Sequence, residues 1–244
     1  MRGVRRARAW RGRFGRFGRI SRRSAVGFVL VLGFAGVPPT VAAKAGCALG
    51  RFCSTVTVIE PATRAAMTGV TWRRSCPVPL TDLRDLTLTY WGFDGAAHDG
   101  HLVVHRDATD ALVRVFGALF AARFPIEHMV PIEAYGGDDD TSTKANNTSA
   151  FNCRPAFGAT SGFSQHAYGR AVDINPVQNP YVGADRSTLD PFAQRFADRI
   201  AVVGEPGVVG ARGVVVRAFA AQGWGWGGRF TTVKDYQHFS SNGR

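Results

Sequence analysis

Acidic residues are missing from the first 45 positions of the chain, which hold ten arginines and Lys44 but no aspartate or glutamate. This segment carries +11 of the net charge of +12, which leaves +1 for all the other residues. A strongly basic chain would ordinarily suggest a nucleic-acid binder. Because the excess charge lies in the leading segment alone, the sequence argues against nucleic acid as a partner.

Long apolar runs are also missing. The run from Ala25 to Val37 is too short to span a bilayer, so we expect no stable membrane span in the mature chain. A basic stretch, an apolar run and then small residues follow the order of a secretory signal peptide. We predict a signal peptide over residues 1–45 and an exported protein of the cell wall, the periplasm or the extracellular space. Ser21-Arg22-Arg23 leaves a twin-arginine signal open as the export route.

Cysteine is scarce, and no two cysteines have the C-x-x-C spacing typical of zinc-binding pairs. The four cysteines all follow the predicted signal peptide, at Cys47, Cys53, Cys76 and Cys153. Exported chains fold in oxidising surroundings, so we expect two disulfides, and the sequence leaves all three connectivities open. Lys44 stands where a lipoprotein signal has an aliphatic residue, which argues against lipid attachment to Cys47.

Repeats, charge runs and Pro- or Ser-rich linkers are absent from the mature part, which indicates one globular domain. Residues 46–84 show little periodicity, and we predict an irregular N-terminal extension there, followed by the main domain over residues 85–244. Short runs rich in β-branched or aromatic residues predict strands at 86–91 and 102–105, with a turn-rich segment between them.

Helical spacing of apolar residues is clearest after Asp107, and the pattern predicts an amphipathic helix that ends before Pro125. Its apolar positions are Leu112, Val115, Phe116, Leu119 and Phe120. Further predicted elements are a helix starting at Asp190, with Phe192, Phe196 and Ile200 on one face, a helix over Val214 to Gln222, and a strand over Tyr236 to Phe239. Together they predict an α+β domain with a small, mostly antiparallel sheet and flanking helices.

The segment 164–176 carries the strongest chemical signal. In a strand, alternate residues share a face, so Ala171 and Asp173 would point the same way, and the small alanine leaves room for a metal ion. His166 lies in the preceding turn and can fold over that face. His238 offers a third ligand, and two nitrogens with one carboxylate oxygen and an open fourth position are typical of a catalytic zinc.

Asp235, three residues before His238, is the candidate general base that would take a proton from water. A single histidine more often forms an ordinary hydrogen bond than a metal bond, and only the joint pattern favours a metal site. Two other polar clusters are not predicted to bind the metal. One is the group His98, His101 and His105. The other is the run Asp138 to Asp140, which we interpret as a solvated loop.

The pattern S-x-H-x-x-G-x-A-x-D from Ser164, followed by D-x-x-H from Asp235, resembles the M15 family of D-alanyl-D-alanine carboxypeptidases and related cell-wall endopeptidases. Segments 147–154, 173–181 and 223–228 resemble its VanY-type branch, and the resemblance covers roughly residues 85–240. It implies an M15/hedgehog-like zinc peptidase fold with Zn²⁺ as cofactor. The ligands carried over are His166, Asp173 and His238, and the catalytic acid/base is Asp235, where several relatives have Glu.

The resemblance also implies residues that contact substrate. Arg154 resembles an upstream arginine that binds substrate and stabilises the developing oxyanion in relatives, and Ser164 and Trp226 are further candidates. Trp226 has an alternative interpretation as a packed aromatic residue before the last strand. Many relatives carry Glu after the His-Phe pair, whereas this chain has Ser240.

The function implied by the resemblance is a zinc-dependent peptidase that hydrolyses peptidoglycan stem peptides. The sequence leaves open a D-Ala-D-Ala carboxypeptidase and an L-Ala-D-Glu endopeptidase, because both use the same metal chemistry. The alternative is a non-catalytic, zinc-stabilised module that binds the cell wall without cutting it, and Asp235 argues against that alternative. We expect a monomer.

Overall fold

The computed structural model describes residues 50–156 and 161–244. The predicted signal peptide, residues 1–45, and Cys47 lie outside the described residues. Among the helices that are described, none combines the length and apolar character needed to cross a membrane.

A three-stranded antiparallel sheet forms the first half of the described fold. Its strands are β1 (Ser54–Val58), β2 (Leu83–Trp91) and β3 (Ala97–His105), with β2 in the centre. The two long strands pair in register from Leu83 opposite His105 to Trp91 opposite Ala97. Both regions predicted as strands are therefore confirmed, and β3 begins inside the segment predicted to be turn-rich.

The two long strands of this sheet place apolar side chains in a core on both faces. On β3, Leu102 and Val104 belong to one core cluster and Val103 belongs to another, because successive strand residues point to opposite faces. The larger cluster includes residues of helix α2 (Thr109–Ala121), which packs on β2. All five apolar positions predicted for this helix are buried, which confirms it.

A second antiparallel sheet carries the polar residues of interest. It consists of β4 (Ala171–Asp173), β8 (His238–Ser240) and β6 (Gly225–Trp226), with β8 in the middle. A small neighbouring ladder pairs β5 (Tyr181–Val182) with β7 (Lys234–Asp235). Of the strand predicted over Tyr236 to Phe239, only His238 and Phe239 lie in a strand, β8, while Tyr236 and Gln237 connect β7 to β8.

The remaining helices are short. They are α1 (Pro61–Met67), α3 (Asp139–Lys144) and α4 (Val214–Ala220), joined by several 3₁₀ turns. Helix α4 packs against α2, and Gly223 follows it with a φ of +77°, close to the predicted end. The mixture of helices with small antiparallel sheets confirms the α+β class.

Two segments differ from the sequence-based expectation. Residues 54–67, predicted to be irregular, hold β1 and α1, and β1 escapes detection because it is an edge strand with mostly exposed side chains. The predicted helix after Asp190 is instead a 3₁₀ helix over Pro191–Ala197. Residues three apart, not four, share a face in that geometry, so Ala193 and Phe196 are buried while Phe192 is exposed. Ile200 lies beyond the end of this helix and is also exposed.

A disulfide ties the two halves of the chain together. Cys76 bonds to Cys153 across 77 residues, which selects one of the pairings that the sequence left open. Cys53 is also disulfide-bonded. Because Cys153 directly precedes Arg154, the bond anchors the backbone beside a candidate site residue.

Candidate metal centre

His166 is held by a short 3₁₀ helix, Gln165–Tyr168, whose two ends are both fixed. At the start, the Ser164 hydroxyl oxygen accepts a hydrogen bond from the His166 backbone amide. At the end, Gly169 adopts a φ of +64°, and a Cβ there would lie 2.6 Å from the backbone nitrogen of His105. Only glycine combines that backbone angle with that close approach, so the turn brings His166 into the interior.

Asp173 and His238 lie opposite each other in the second sheet, as paired residues of β4 and β8. Side chains of directly paired residues on adjacent strands are close neighbours. On its other edge Asp173 forms a backbone bridge with Ser149, with both hydrogen bonds made, at 2.9 and 3.1 Å. The carboxylate is therefore carried by a backbone that is paired on both sides, and its side chain and that of His238 are buried.

Three ligand atoms of these residues converge on one point. His166 Nε2 lies 3.2 Å from Asp173 Oδ1 and 3.2 Å from His238 Nδ1, and His238 Nδ1 lies 3.0 Å from Asp173 Oδ1. Ligands about 2.0–2.1 Å from a tetrahedral zinc are separated by about 3.3 Å. The observed triangle is within a few tenths of an ångström of that spacing, so the three residues could hold a divalent metal.

Backbone oxygens set the tautomers of both histidines. His166 Nδ1 donates to the carbonyl of Ala150 at 2.5 Å, and His238 Nε2 donates to the backbone oxygen of Arg244 at 3.0 Å. A carbonyl can only accept, so each of these nitrogens carries a hydrogen. The lone pair of each neutral ring is then on the other nitrogen, and both lone pairs point into the triangle. A metal-bound histidine usually has this arrangement, in which one ring nitrogen binds the metal and the other donates its hydrogen to a nearby oxygen.

The charges in the triangle favour a cation. Burial alone would raise the pKa of Asp173, but the adjacent His166 and His238 outweigh burial and lower it well below its usual range. Burial alone would lower the pKa of His238, yet the bond to Asp173 raises it to about 9. The carboxylate is thus held ionised in the interior, and a positive charge beside it is stabilised.

Asp235 lines the same cavity from β7. Its Oδ1 is buried without a hydrogen-bond partner. Burial raises the pKa of Asp235 to about 7, His238 opposes the rise, and Asp173 adds to it. A carboxyl that titrates near neutrality can take up and release a proton under ordinary conditions, which is what a general acid/base requires.

The cavity has a volume of about 450 Å³ and an asymmetric lining. The polar groups include the three candidate ligands and Asp235. Apolar side chains form another part of the wall, among them Pro176, Pro180, Tyr181, Leu189, Phe230 and Val233. A cleft of this size with a few convergent polar groups is typical of a small-molecule or peptide site.

Arg154 also lines this cavity and forms an ion pair with Asp139, with an N–O distance of 2.8 Å. Asp139 belongs to α3, and the Asp138 side chain accepts a hydrogen bond from Thr141 N as the cap of that helix. The carboxylate run interpreted as a solvated loop therefore begins a helix and fixes Arg154. The sequence did not signal this partner, because nothing in the spacing of residues 139 and 154 relates them.

Ser164 and Trp226, the other candidate substrate residues, lie in different environments. Ser164 lines the cavity and also caps the helix that carries His166. Trp226 lies in the core, where its indole N–H donates to the Tyr236 carbonyl at 2.9 Å and its ring stacks with that of Phe239, and it does not line the cavity. The interpretation of Trp226 as a packed aromatic residue is the one that this geometry supports.

His98, His101 and His105 are not part of this group of candidate ligands. Each of the three pairs with its own carboxylate: His98 with Asp94, His101 with Asp85 and His105 with Asp107. Within residues 50–156 and 161–244, only His166, Asp173 and His238 form a group that could hold a metal ion.

Comparison with known families gives a match in the second half of the chain. Residues 158–241, about a third of the chain, match a peptidase M15 family model described as D-alanyl-D-alanine carboxypeptidase. The matched segment contains the three candidate ligands and Asp235 but not Arg154. Neither the curated proteins nor the solved structures gave a match. The family match and the buried triangle together support a peptidase of the M15 type.

Proposed function

We propose that this protein is an exported zinc-dependent peptidase that hydrolyses peptidoglycan stem peptides. The observation that carries the proposal is the meeting of His166 Nε2, Asp173 Oδ1 and His238 Nδ1 within 3.0–3.2 Å of one another, in a cavity that Asp235 also lines. The match of residues 158–241 to a D-alanyl-D-alanine carboxypeptidase model supports the substrate class. Membership of the VanY-type branch remains part of the proposal.

In the proposed reaction, the metal ion and Asp235 have different roles. Zn²⁺ bound by the three ligands would act as a Lewis acid on the scissile carbonyl and lower the pKa of water to about 7. Asp235 accepts the proton of the attacking water and later donates it to the leaving amine. Its raised pKa suits both steps, since the group must be ionised first and protonated afterwards.

Arg154 is proposed to bind the substrate and to stabilise the negative charge that develops on the carbonyl oxygen. A guanidinium holds its charge throughout the reaction, and the ion pair with Asp139 keeps it in one place. Ser164 lines the same cavity and is proposed as a second substrate contact.

Defined muropeptides test the proposal. The zinc-loaded protein is incubated with a stem pentapeptide ending in D-Ala-D-Ala, and the products are identified by mass. Loss of one alanine marks a carboxypeptidase, whereas separation of L-Ala from D-Glu marks an endopeptidase. Intact substrate after long incubation, together with measurable binding of isolated cell walls, would favour the non-catalytic wall-binding module instead.

A further inference from the structure

The chain folds back on the metal centre directly after β8. The side chain of Ser240, which is fully buried, donates to the backbone oxygen of Arg244 at 2.7 Å. Gly243 N donates to the Ser240 carbonyl at 3.2 Å, and Arg244 N donates to Asn242 Oδ1 at 3.1 Å. Residues 240–244 therefore form a hydrogen-bonded turn, here called the C-terminal turn.

This turn is seated closely on the neighbouring strand. Ser240 pairs with Gly225 of β6, and a Cβ on Gly225 would lie 2.4 Å from the Cα of Gly243. Gly243 itself has a φ of +73°, a backbone angle that L side chains rarely adopt. Two glycines thus allow the return of the chain at a distance that a larger residue would prevent.

The C-terminal turn places the Arg244 backbone oxygen where it accepts two hydrogen bonds. One comes from the Ser240 hydroxyl, and the other comes from Nε2 of His238 at 3.0 Å. The second bond keeps the hydrogen on Nε2 and directs Nδ1 toward Asp173 and His166. Partners of this kind orient a ligating histidine and increase its basicity.

We infer that Ser240 is a positioning residue for the metal centre, acting through the Arg244 backbone oxygen on His238. The inference rests on the proposed function only in requiring that the three ligands hold zinc.

Two variants and one control test this inference. Ser240→Ala removes the hydroxyl from a buried site, and Gly243→Val strains an exposed residue that has a φ of +73°. Ser241→Ala changes an exposed neighbouring serine and serves as the control. We expect zinc to bind about tenfold more weakly to both variants, at the lower end of the effect of losing an outer hydrogen bond to a metal ligand.

The absorption spectrum of the Co²⁺-substituted protein gives a second measurement, because its visible bands report the ligand geometry and are insensitive to small changes in stability. Shifted bands in both variants and unshifted bands in the control are the expected result. If the parent binds zinc tightly and both variants match it in affinity and spectrum, the positioning role is overturned while the proposed function stands. A parent that binds no zinc would overturn both.

Discussion

A buried carboxylate oxygen without a hydrogen-bond partner destabilises a fold, so Oδ1 of Asp235 is conspicuous among the polar atoms of the cavity. Burial raises the pKa of Asp235, the nearby His238 opposes this rise, and the nearby Asp173 adds to it. A residue placed only for stability would gain from a donor within reach. An acid/base group gains from being free to exchange its proton with a bound reactant.

Asp235→Asn keeps the size of the side chain and removes its ability to take a proton. We expect kcat/KM for muropeptide hydrolysis to fall by at least about 100-fold, the usual scale for loss of general-base catalysis. Zinc affinity, measured by calorimetry, should change by no more than about twofold, since Asp235 is not one of the proposed ligands. Asp110→Asn, an exposed position on α2, is the control, and parent-like hydrolysis by Asp235→Asn would contradict the assigned role.

The pKa of His238 leads to a prediction about zinc binding. Below about pH 9 the metal-free protein holds a proton on this ring, and zinc needs the neutral ring, so binding must release that proton. The apparent affinity should therefore rise as the pH rises, by about tenfold per unit between pH 7 and 8.5. Competition with a chelator of known pH dependence measures this slope. An affinity independent of pH over that interval would exclude the release of a proton.

Helix α2 and the two long strands could be predicted, because their apolar residues keep one period from end to end. The 3₁₀ helix after Asp190 could not. Its start has the expected Asp-Pro signal, but its turn has three residues rather than 3.6, so the spacing of Phe192 and Phe196 misled the prediction. Strand β1 was missed because its side chains cover no core.

Gly169 connects the helix of His166 with β4, and its replacement tests how much the site depends on that turn. In Gly169→Ala the methyl group meets the His105 backbone nitrogen at 2.6 Å and the positive φ adds strain, so we expect a loss of at least about 2 kcal/mol in unfolding free energy. Gly95→Ala has a similar φ of +76° with open space around it and should lose only about 1 kcal/mol. Urea unfolding of both variants measures the difference, and equal losses would show that the close contact is unimportant.

Over the whole molecule, the convergence of the three candidate ligands could be predicted from the sequence, whereas the groups that support them could not. His166, Asp173 and His238 have side chains whose chemistry signals a role at a given spacing. The Ala150 and Arg244 oxygens that fix the two tautomers are backbone groups, which every residue type offers equally. The Arg154 to Asp139 ion pair depends on how the chain folds around α3, a relation that no local spacing encodes.

The Cys76–Cys153 disulfide restricts the unfolded chain over a loop of 77 residues. On chain-entropy grounds its removal should cost about 4 kcal/mol. The double variant Cys76→Ser/Cys153→Ser should accordingly unfold about 8–16 °C lower than the parent. Calorimetry measures the shift, with the exposed Ser75→Ala as the control in the same segment. A shift of less than about 3 °C would mean that the bond does not restrain the unfolded chain as expected.

The central position of β8 in its sheet has a consequence for the order of events during synthesis. His166 and Asp173 are close together in the sequence, whereas the third candidate ligand, His238, follows Asp173 by 65 residues, on the strand that completes the β4-β8-β6 ladder. A ribosome-bound chain that has not yet reached this strand holds an incomplete ligand set. A fragment interrupted before His238 would therefore lack both the middle strand of this ladder and one of the three candidate ligands.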